Sequence, residues 1–215
     1  MLELLLGGGA GPVRALFLGA HCDDIEIGCG GTVLDLARRH PGLSAHWIVL
    51  SATAERVCEG ERAAGRFLTG VARQEVVIER FRDGYLPYEG ARVKDFFEGL
   101  KRIEPDVIFT HHREDAHQDH RFVSELTWNT FRDHLILEYE IPKYDGDTGA
   151  PNAFVPLDDA IADAKVRHVM ESYPSQAARP WFTADTLLAT MRLRGVQARA
   201  PRYAEGFYAH KLVLR

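Results

Sequence analysis

Hydrophobic positions first cluster tightly between Ala15 and Ala20, a short apolar run that stops abruptly at His21, Cys22, Asp23 and Asp24. Such a run, bounded by polar residues, predicts a buried strand. Gly28, Gly30 and Gly31 then predict a turn, and Val33, Leu34, Leu36 and Ala37 an amphipathic helix over 32–39. The alternation repeats. Residues 44–52 predict a second strand, and the Ala-, Glu- and Arg-rich stretch 55–68 a helix. Residues 74–81, with Val76, Val77 and Ile78, predict a third strand closing at the turn Arg82-Asp83-Gly84. Val93, Phe96, Phe97 and Leu100 fall at helical spacing within 92–103. Residues 106–111 predict a fourth strand and 119–134 the helix after it. Four β-then-α units in succession predict an α/β fold: a Rossmann-like, mostly parallel sheet with helices on both faces. The unbroken Val107-Ile108-Phe109 suits a strand buried on both sides.

Beyond residue 135 the rhythm changes. A strand is predicted over 137–144, then a loop punctuated by Pro142, Pro151 and Pro156 that holds Asn152, Phe154 and Leu157. Asp158 or Asp159 caps a helix reaching about Ser172. A further helix over 184–193 and a strand over 206–214 complete a C-terminal elaboration. Without repeats or a linker, residues 1–215 read as a single domain.

Composition narrows the class. Hydrophobic residues at 46% and charged residues at 27% are ordinary for a globular protein. A net charge of -5 gives no electrostatic reason for nucleic acid or an anionic membrane as partner. No apolar run approaches the roughly 18 residues that span a bilayer. Leu2, Leu4, Leu5 and Leu6 have no basic residue ahead of them, which argues against a signal peptide. Cys22, Cys29 and Cys58 form no CxxC pair and leave an odd count, as expected of a reduced, cytoplasmic protein. Oligomeric state is open, and a homo-oligomer is compatible with all of this.

The chemistry concentrates at two strand ends. The second cluster reads Thr110-His111-His112-Arg113-Glu114-Asp115-Ala116-His117-Gln118-Asp119-His120. If both strands are central, their tips meet and bring His21, Asp24 and His120 together as two imidazoles and a carboxylate. Catalytic zinc takes three protein ligands of this kind and keeps a fourth place for water. Asp23 and His117 then have the right chemistry for a general base and a polarising partner. The plainer reading makes Asp23 or Asp24 a helix cap and His111, His112 and His117 surface histidines. Trp47 and Trp128 read as core, whereas Trp181 is free to stack on a sugar ring.

Three rival chemistries fit less well. Gly28-Cys29-Gly30-Gly31 lacks dinucleotide-binding spacing, and the acidic pair before it repels phosphate. A two-His-one-carboxylate iron site on this alternation is unusual. A non-catalytic metal- or sugar-binding module has no need of Asp23 and His117.

His21-Cys-Asp23-Asp24-Ile-Glu26, followed by Gly30-Gly31-Thr32, resembles the first signature of the PIG-L / LmbE-like N-deacetylase family. His117-Gln-Asp119-His120 resembles its His-x-Asp-His signature, in matching order and separation. Arg56 with Glu59, Lys165 through Tyr173-Pro-Ser175-Gln176, and Tyr203-Ala-Glu205-Gly-Phe207 resemble further family segments. The resemblance implies a zinc ion, one per chain, on His21, Asp24 and His120, with another divalent metal as the alternative. It implies Asp23 as general base, His117 as a protonated stabiliser of the oxyanion, and Asp119 as the orienting partner of a histidine. Arg56 is implied to contact substrate, although an arginine on an amphipathic helix is ordinarily solvated. The implied reaction removes acetyl from an N-acetylamino sugar or its conjugate, N-acetylglucosamine-like, with a non-sugar amide as alternative. Cys22 replaces a common proline, and its side chain is expected to face away from the metal. Glu26 either caps the glycine turn or steadies a ligand, and Tyr203 and Glu205 either pack the last strand or reach the pocket.

Overall fold

The computed structural model describes residue 3 and residues 12–213, so Leu2, Leu4, Leu5, Leu6 and Leu214 lie outside the described residues. β1 (Arg14–His21) carries Ala15 and Phe17 on one face and Leu16 and Leu18 on the other, all fully buried. It pairs in parallel with β2 (Ser44–Ser51) on one side and with β4 (Val107–His111) on the other. β3 (Arg73–Phe81) extends the sheet beyond β2, and β5 (Leu135–Tyr139) extends it beyond β4, both in parallel. The predicted parallel core is therefore present.

Helices cover both faces. α1 (Asp24–Arg39), α2 (Ala54–Phe67) and α5 (Asp159–Ser172) supply Val33, Phe67 and Val169 to a cluster around Phe17, Trp47 and Phe109. α3 (Gly90–Leu100) and α4 (Gln118–Thr130) supply Val93, Phe97 and Val123 to the opposite cluster around Leu16, Leu18 and Ile48. Among the described residues no helix is long and apolar enough to cross a membrane. Trp47 is core as expected, but Trp128 is only half-buried and donates its indole N–H to Glu138 Oε1 at 2.6 Å.

The C-terminal elaboration differs from its sequence reading. Residues read as a loop form β6 (Ala153–Leu157), an edge strand antiparallel to β7 (Tyr203–Ala209), which is itself antiparallel to β5. Pro156 hides this strand from a sequence reading, yet a sheet edge tolerates its missing N–H. The strand expected over 137–144 is β5 and ends five residues earlier, before Pro142. The strand expected over 206–214 is β7 and begins at Tyr203. α6 (Ala184–Ala198) runs five residues past its predicted end. Asp158, rather than Asp159, caps α5, accepting the Ile161 N–H at 2.9 Å.

The glycine turn expected after Asp24 is absent. Gly28, Gly30 and Gly31 lie inside α1, which kinks at Cys29 (φ −141°). They are there because neighbours press on the helix: a Cβ on Gly28 would stand 2.2 Å from the Tyr139 ring. Tyr139 cannot yield freely, since its hydroxyl donates to Leu18 O at 2.6 Å. Gly28→Ala is therefore expected to cost about 1–3 kcal/mol by overpacking, read as a lower urea midpoint at unchanged slope.

The sheet runs β3-β2-β1-β4-β5-β7-β6. The chain leaves β1 outward in one direction and returns to β4 on the other side, so the order reverses between β1 and β4. In open sheets of this kind a crevice for ligands opens beyond the carboxyl ends of the strands at that point. The two strands end there in His21 and His111.

Candidate metal centre

At the end of β1 the backbone turns sharply, and Asp23 adopts φ 99°, a left-handed conformation that costs a non-glycine residue roughly 1–3 kcal/mol. The turn buries Cys22 against α2, where a Cβ on Gly60 would meet its Sγ at 2.8 Å. Burial, with Glu26 nearby, pushes the Cys22 thiol up, so it stays protonated in the core. Asp23 and Asp24, consecutive in the turn, are both buried.

Asp24 lies between the two predicted histidines. Its Oδ2 is 3.5 Å from His21 Nδ1, its Oδ1 is 3.4 Å from His120 Nε2, and those two nitrogens are 3.3 Å apart. A tetrahedral zinc with bonds of about 2.0–2.1 Å spaces its donors roughly 3.3 Å apart. The far nitrogen of each imidazole is held by a carboxylate: His21 Nε2 by Asp119 Oδ2 at 3.1 Å, His120 Nδ1 by Asp115 Oδ2 at 3.0 Å. This arrangement puts the ring protons on the outer nitrogens and aims two lone pairs at the centre. Asp24 Oδ2 also accepts the His21 N–H at 2.7 Å, which fixes the carboxylate.

Two further histidines border the cluster: His111 Nε2 stands 3.2 Å from Asp24 Oδ2, and His111 with Asp24 and His120, or His117 with His21 and His120, forms a second donor set close enough to hold a metal. Neither is a surface residue: His111 is fully buried and stacks on His120 at 3.9 Å, and His117 is half-buried. The Ala20 N–H donates to His111 Nε2 at 2.9 Å. His117 caps α4, its Nδ1 accepting the Asp119 N–H at 3.2 Å, which places its proton on Nε2. An imidazolium cannot accept that bond. Burial holds the His117 pKa down. The protonated state implied by the family resemblance thus differs from this geometry, which holds a neutral Nε2–H donor. His112 is also buried, on the far side, where its Nδ1 pairs with Glu138 at 2.9 Å.

The electrostatics separate the neighbouring carboxylates. Burial alone would raise Asp24, but His120 and His111 hold it well below the usual carboxylate range. Burial lifts Asp23 to about 7, and the adjacent Arg56 restrains the rise. The Arg56 guanidinium lies 3.0 Å from Asp23 Oδ2, donates to Cys22 O and to Ser175 Oγ, and covers the Tyr173 ring at 4.9 Å. Glu59 holds it from behind at 3.4 Å and itself accepts from the Ser175 backbone and hydroxyl. Arg56 is therefore not a solvated residue, and its donors engage the strained Cys22–Asp23 turn.

The remaining sequence candidates sit beneath the site. Glu26 accepts the Tyr173 hydroxyl and is pushed up to about 8 by burial. Glu205 does not reach the crevice. It accepts the Gly31 and Thr32 N–H groups at 2.8 and 2.6 Å and the Thr32 hydroxyl at 2.6 Å, and pairs with Lys165 at 2.6 Å. Tyr203 packs with Leu157, Ile161 and Met191. Asp115, Tyr173, Ser175 and Asp83, whose Oδ1 is 3.1 Å from His21 Nε2, escaped the sequence reading. Asp115 carried a signal in its place two residues before His117, and Tyr173 and Ser175 in the segment that resembles the family, but none of these pointed to the contact that each makes.

Solved structures share this fold. The conserved protein TT1542 from Thermus thermophilus superposes with a TM-score of 0.77 at 24% identity, covering 94% of this chain and 97% of that one. N,N'-diacetylchitobiose deacetylase from Pyrococcus horikoshii gives 0.69 at 22% identity, over 91% of this chain and 83% of that one. GalB, the 4-carboxy-2-hydroxymuconate hydratase from Pseudomonas putida KT2440, gives 0.75 at 17% identity, over 94% and 98%. At these identities the likeness is one of fold. Sequence carries the family itself: residues 16–131, which hold both polar clusters, match the model described as "PIG-L: GlcNAc-PI de-N-acetylase", and the chain belongs to that family.

Proposed function

We propose that the chain is a zinc-dependent hydrolase that removes the acetyl group from an N-acetylamino sugar or its conjugate. The observation that carries this reading is the pair of imidazole lone pairs and one carboxylate at 3.3–3.5 Å spacing, with a second carboxylate, Asp23, beside them. His21, Asp24 and His120 would hold the metal, which when bound would polarise the amide oxygen and acidify water. The donor set of two nitrogens and one oxygen fits zinc and admits similar divalent ions.

The chain's own groups account for the remaining steps. Asp23, lifted to about 7, takes a proton from the attacking water as its oxygen bonds to the acetyl carbon. His117 donates its Nε2–H to the oxyanion that develops. The C–N bond then breaks as Asp23 returns that proton to the departing nitrogen, and the proton left on the new carboxyl passes to the amine, so acetate and a protonated amine remain. Asp119 and Asp115 orient His21 and His120. Arg56 keeps Asp23 ionised and holds its turn, in addition to any contact with substrate. The whole chain acts as one domain, and its three unpaired cysteines suit a reducing compartment such as the cytoplasm.

The test is acetate release from N-acetylglucosamine and its conjugates, with and without a chelator. Chelator-sensitive release is the expected outcome; release from non-sugar amides alone would replace the substrate class. A pH profile checks the base. Burial raises Asp23, while Arg56 and the charge of a bound cation oppose the rise, so kcat/KM should fall on the acid side as Asp23 takes up a proton, at a pH no higher than about 7. Arg56→Met removes one of the charges opposing burial, so the acid limb should move to higher pH. An unmoved limb would separate Arg56 from Asp23.

A further inference from the structure

Large side chains exposed among the described residues include three aromatic rings, Tyr85 (41%), Tyr88 (80%) and Tyr144 (67%). Chain neighbours of Tyr85 and Tyr144 bond the carboxylates behind the two metal-facing histidines. Tyr85 lies between Gly84 and Leu86, whose N–H groups donate to Asp119 Oδ2 and Oδ1 at 2.7 and 3.1 Å. Asp119 is the carboxylate behind His21. The Tyr88 ring stands 5.7 Å from that of Tyr85. Tyr144 follows Lys143, whose Nζ is 3.0 Å from Asp115 Oδ1, the carboxylate behind His120. The Tyr144 ring is 6.5 Å from Trp181 and edge-on to it. Trp181 packs on Phe182, and Phe182 on the Tyr173 ring that Arg56 covers. One aromatic pair is thus anchored behind each metal-facing histidine.

We propose that these pairs are platforms for sugar rings beyond the one that bears the acetamide, so that the substrate is an oligosaccharide rather than a free monosaccharide. The inference rests on the deacetylase reading and specifies its substrate. The C–H face of a pyranose carries partial positive charge, which matches the negative face of an aromatic ring. Tyrosine and tryptophan supply such contact area at small cost in side-chain entropy. Tyr88 and Tyr144 are 80% and 67% exposed, so burial in the core does not account for either ring. The surroundings are polar rather than greasy. Asp83 is largely exposed, and Arg82 covers one face of Tyr85 at 3.5 Å, leaving Tyr88 as the open ring of its pair. Exposed aliphatic residues such as Leu193 and Val196 lie instead on α6. A saccharide fits this mixture of stacking faces and hydrogen-bonding groups better than an acyl chain does.

The experiment compares acetate release from N-acetylglucosamine and from its β-1,4-linked dimer and trimer. The trimer should exceed the monomer in kcat/KM by about tenfold or more. In Tyr144→Ala and in Tyr88→Ala that ratio should fall several-fold, whereas Leu193→Ala on α6 should preserve it. Titration calorimetry of the trimer gives a second readout that needs no turnover. Weaker binding in the two tyrosine variants would support the platforms even if no substrate released acetate, an outcome that would defeat the deacetylase reading alone. Equal kcat/KM for monomer and trimer, a ratio untouched by both tyrosine variants, or no binding of the trimer would overturn the proposal. So would an equal gain from the octyl glycoside of N-acetylglucosamine, because apolar contact would then suffice.

Discussion

Asp23→Asn is expected to lower kcat for acetate release by about 10²–10⁴-fold, the usual contribution of a general base, and to leave the bound metal in place. Asparagine keeps the size of the side chain but cannot take up a proton at neutral pH. It also tolerates the left-handed backbone that Asp23 occupies at φ 99°, so the turn between β1 and α1 survives. Alanine would be a poorer choice, because it changes volume and backbone preference together. Metal analysis beside steady-state kinetics separates the roles: donor atoms of Asp24, His21 and His120 stand 3.3–3.5 Å from one another, whereas Asp23 is engaged by Arg56 at 3.0 Å. Near-normal turnover in Asp23→Asn would remove Asp23 from the base role and transfer suspicion to another carboxylate.

The largest expected loss of stability comes from a residue far from the chemistry. Lys165→Met should destabilise the fold by about 3–5 kcal/mol, the usual cost of stranding a buried charge. Lys165 is almost fully buried, and its Nζ donates to Ile27 O and to Glu205 Oε1, each at 2.6 Å. Glu205 is buried too and spends its other acceptor capacity on Gly31 and Thr32 of α1. Without the ammonium, that carboxylate sits in the interior with hydrogen bonds but no countercharge. Urea denaturation reads the loss. Lys165→Met combined with Glu205→Gln should recover part of it, since the stranded charge goes as well. A single variant within about 1 kcal/mol of the parent would show that buried Glu205 does not depend on the Lys165 countercharge.

The parallel half of the fold was legible because burial on both faces makes its strands continuous apolar runs, as in Val107-Ile108-Phe109. The pairing of β6 with β7 was not. Pro156 and the surrounding prolines read as loop, and only the sheet edge explains why they are tolerated. Gly28 misled for a related reason: sequence reports that a Cβ is missing, not that the Tyr139 ring occupies the space. At the site, residue types and spacing were enough to bring His21, Asp24 and His120 together. What they could not supply was the assignment of lone pairs. His117 looks equivalent to His120 in sequence and differs because the backbone N–H of Asp119 claims its acceptor nitrogen. Arg56 is the converse case. Its partners Cys22, Ser175 and Tyr173 are distant in sequence, and nothing local announces the clamp. Fold alone does not select the reaction, since a hydratase shares it, so the functional reading depends on the site.

The most direct measurement is metal content. The purified chain, stripped with chelator and then reconstituted with zinc, should retain about one equivalent, and His120→Ala should retain almost none. Acetate release should rise and fall with that equivalent. A folded chain that holds no divalent metal after reconstitution, or one whose His120→Ala variant binds as tightly as the parent, would contradict the account at its centre.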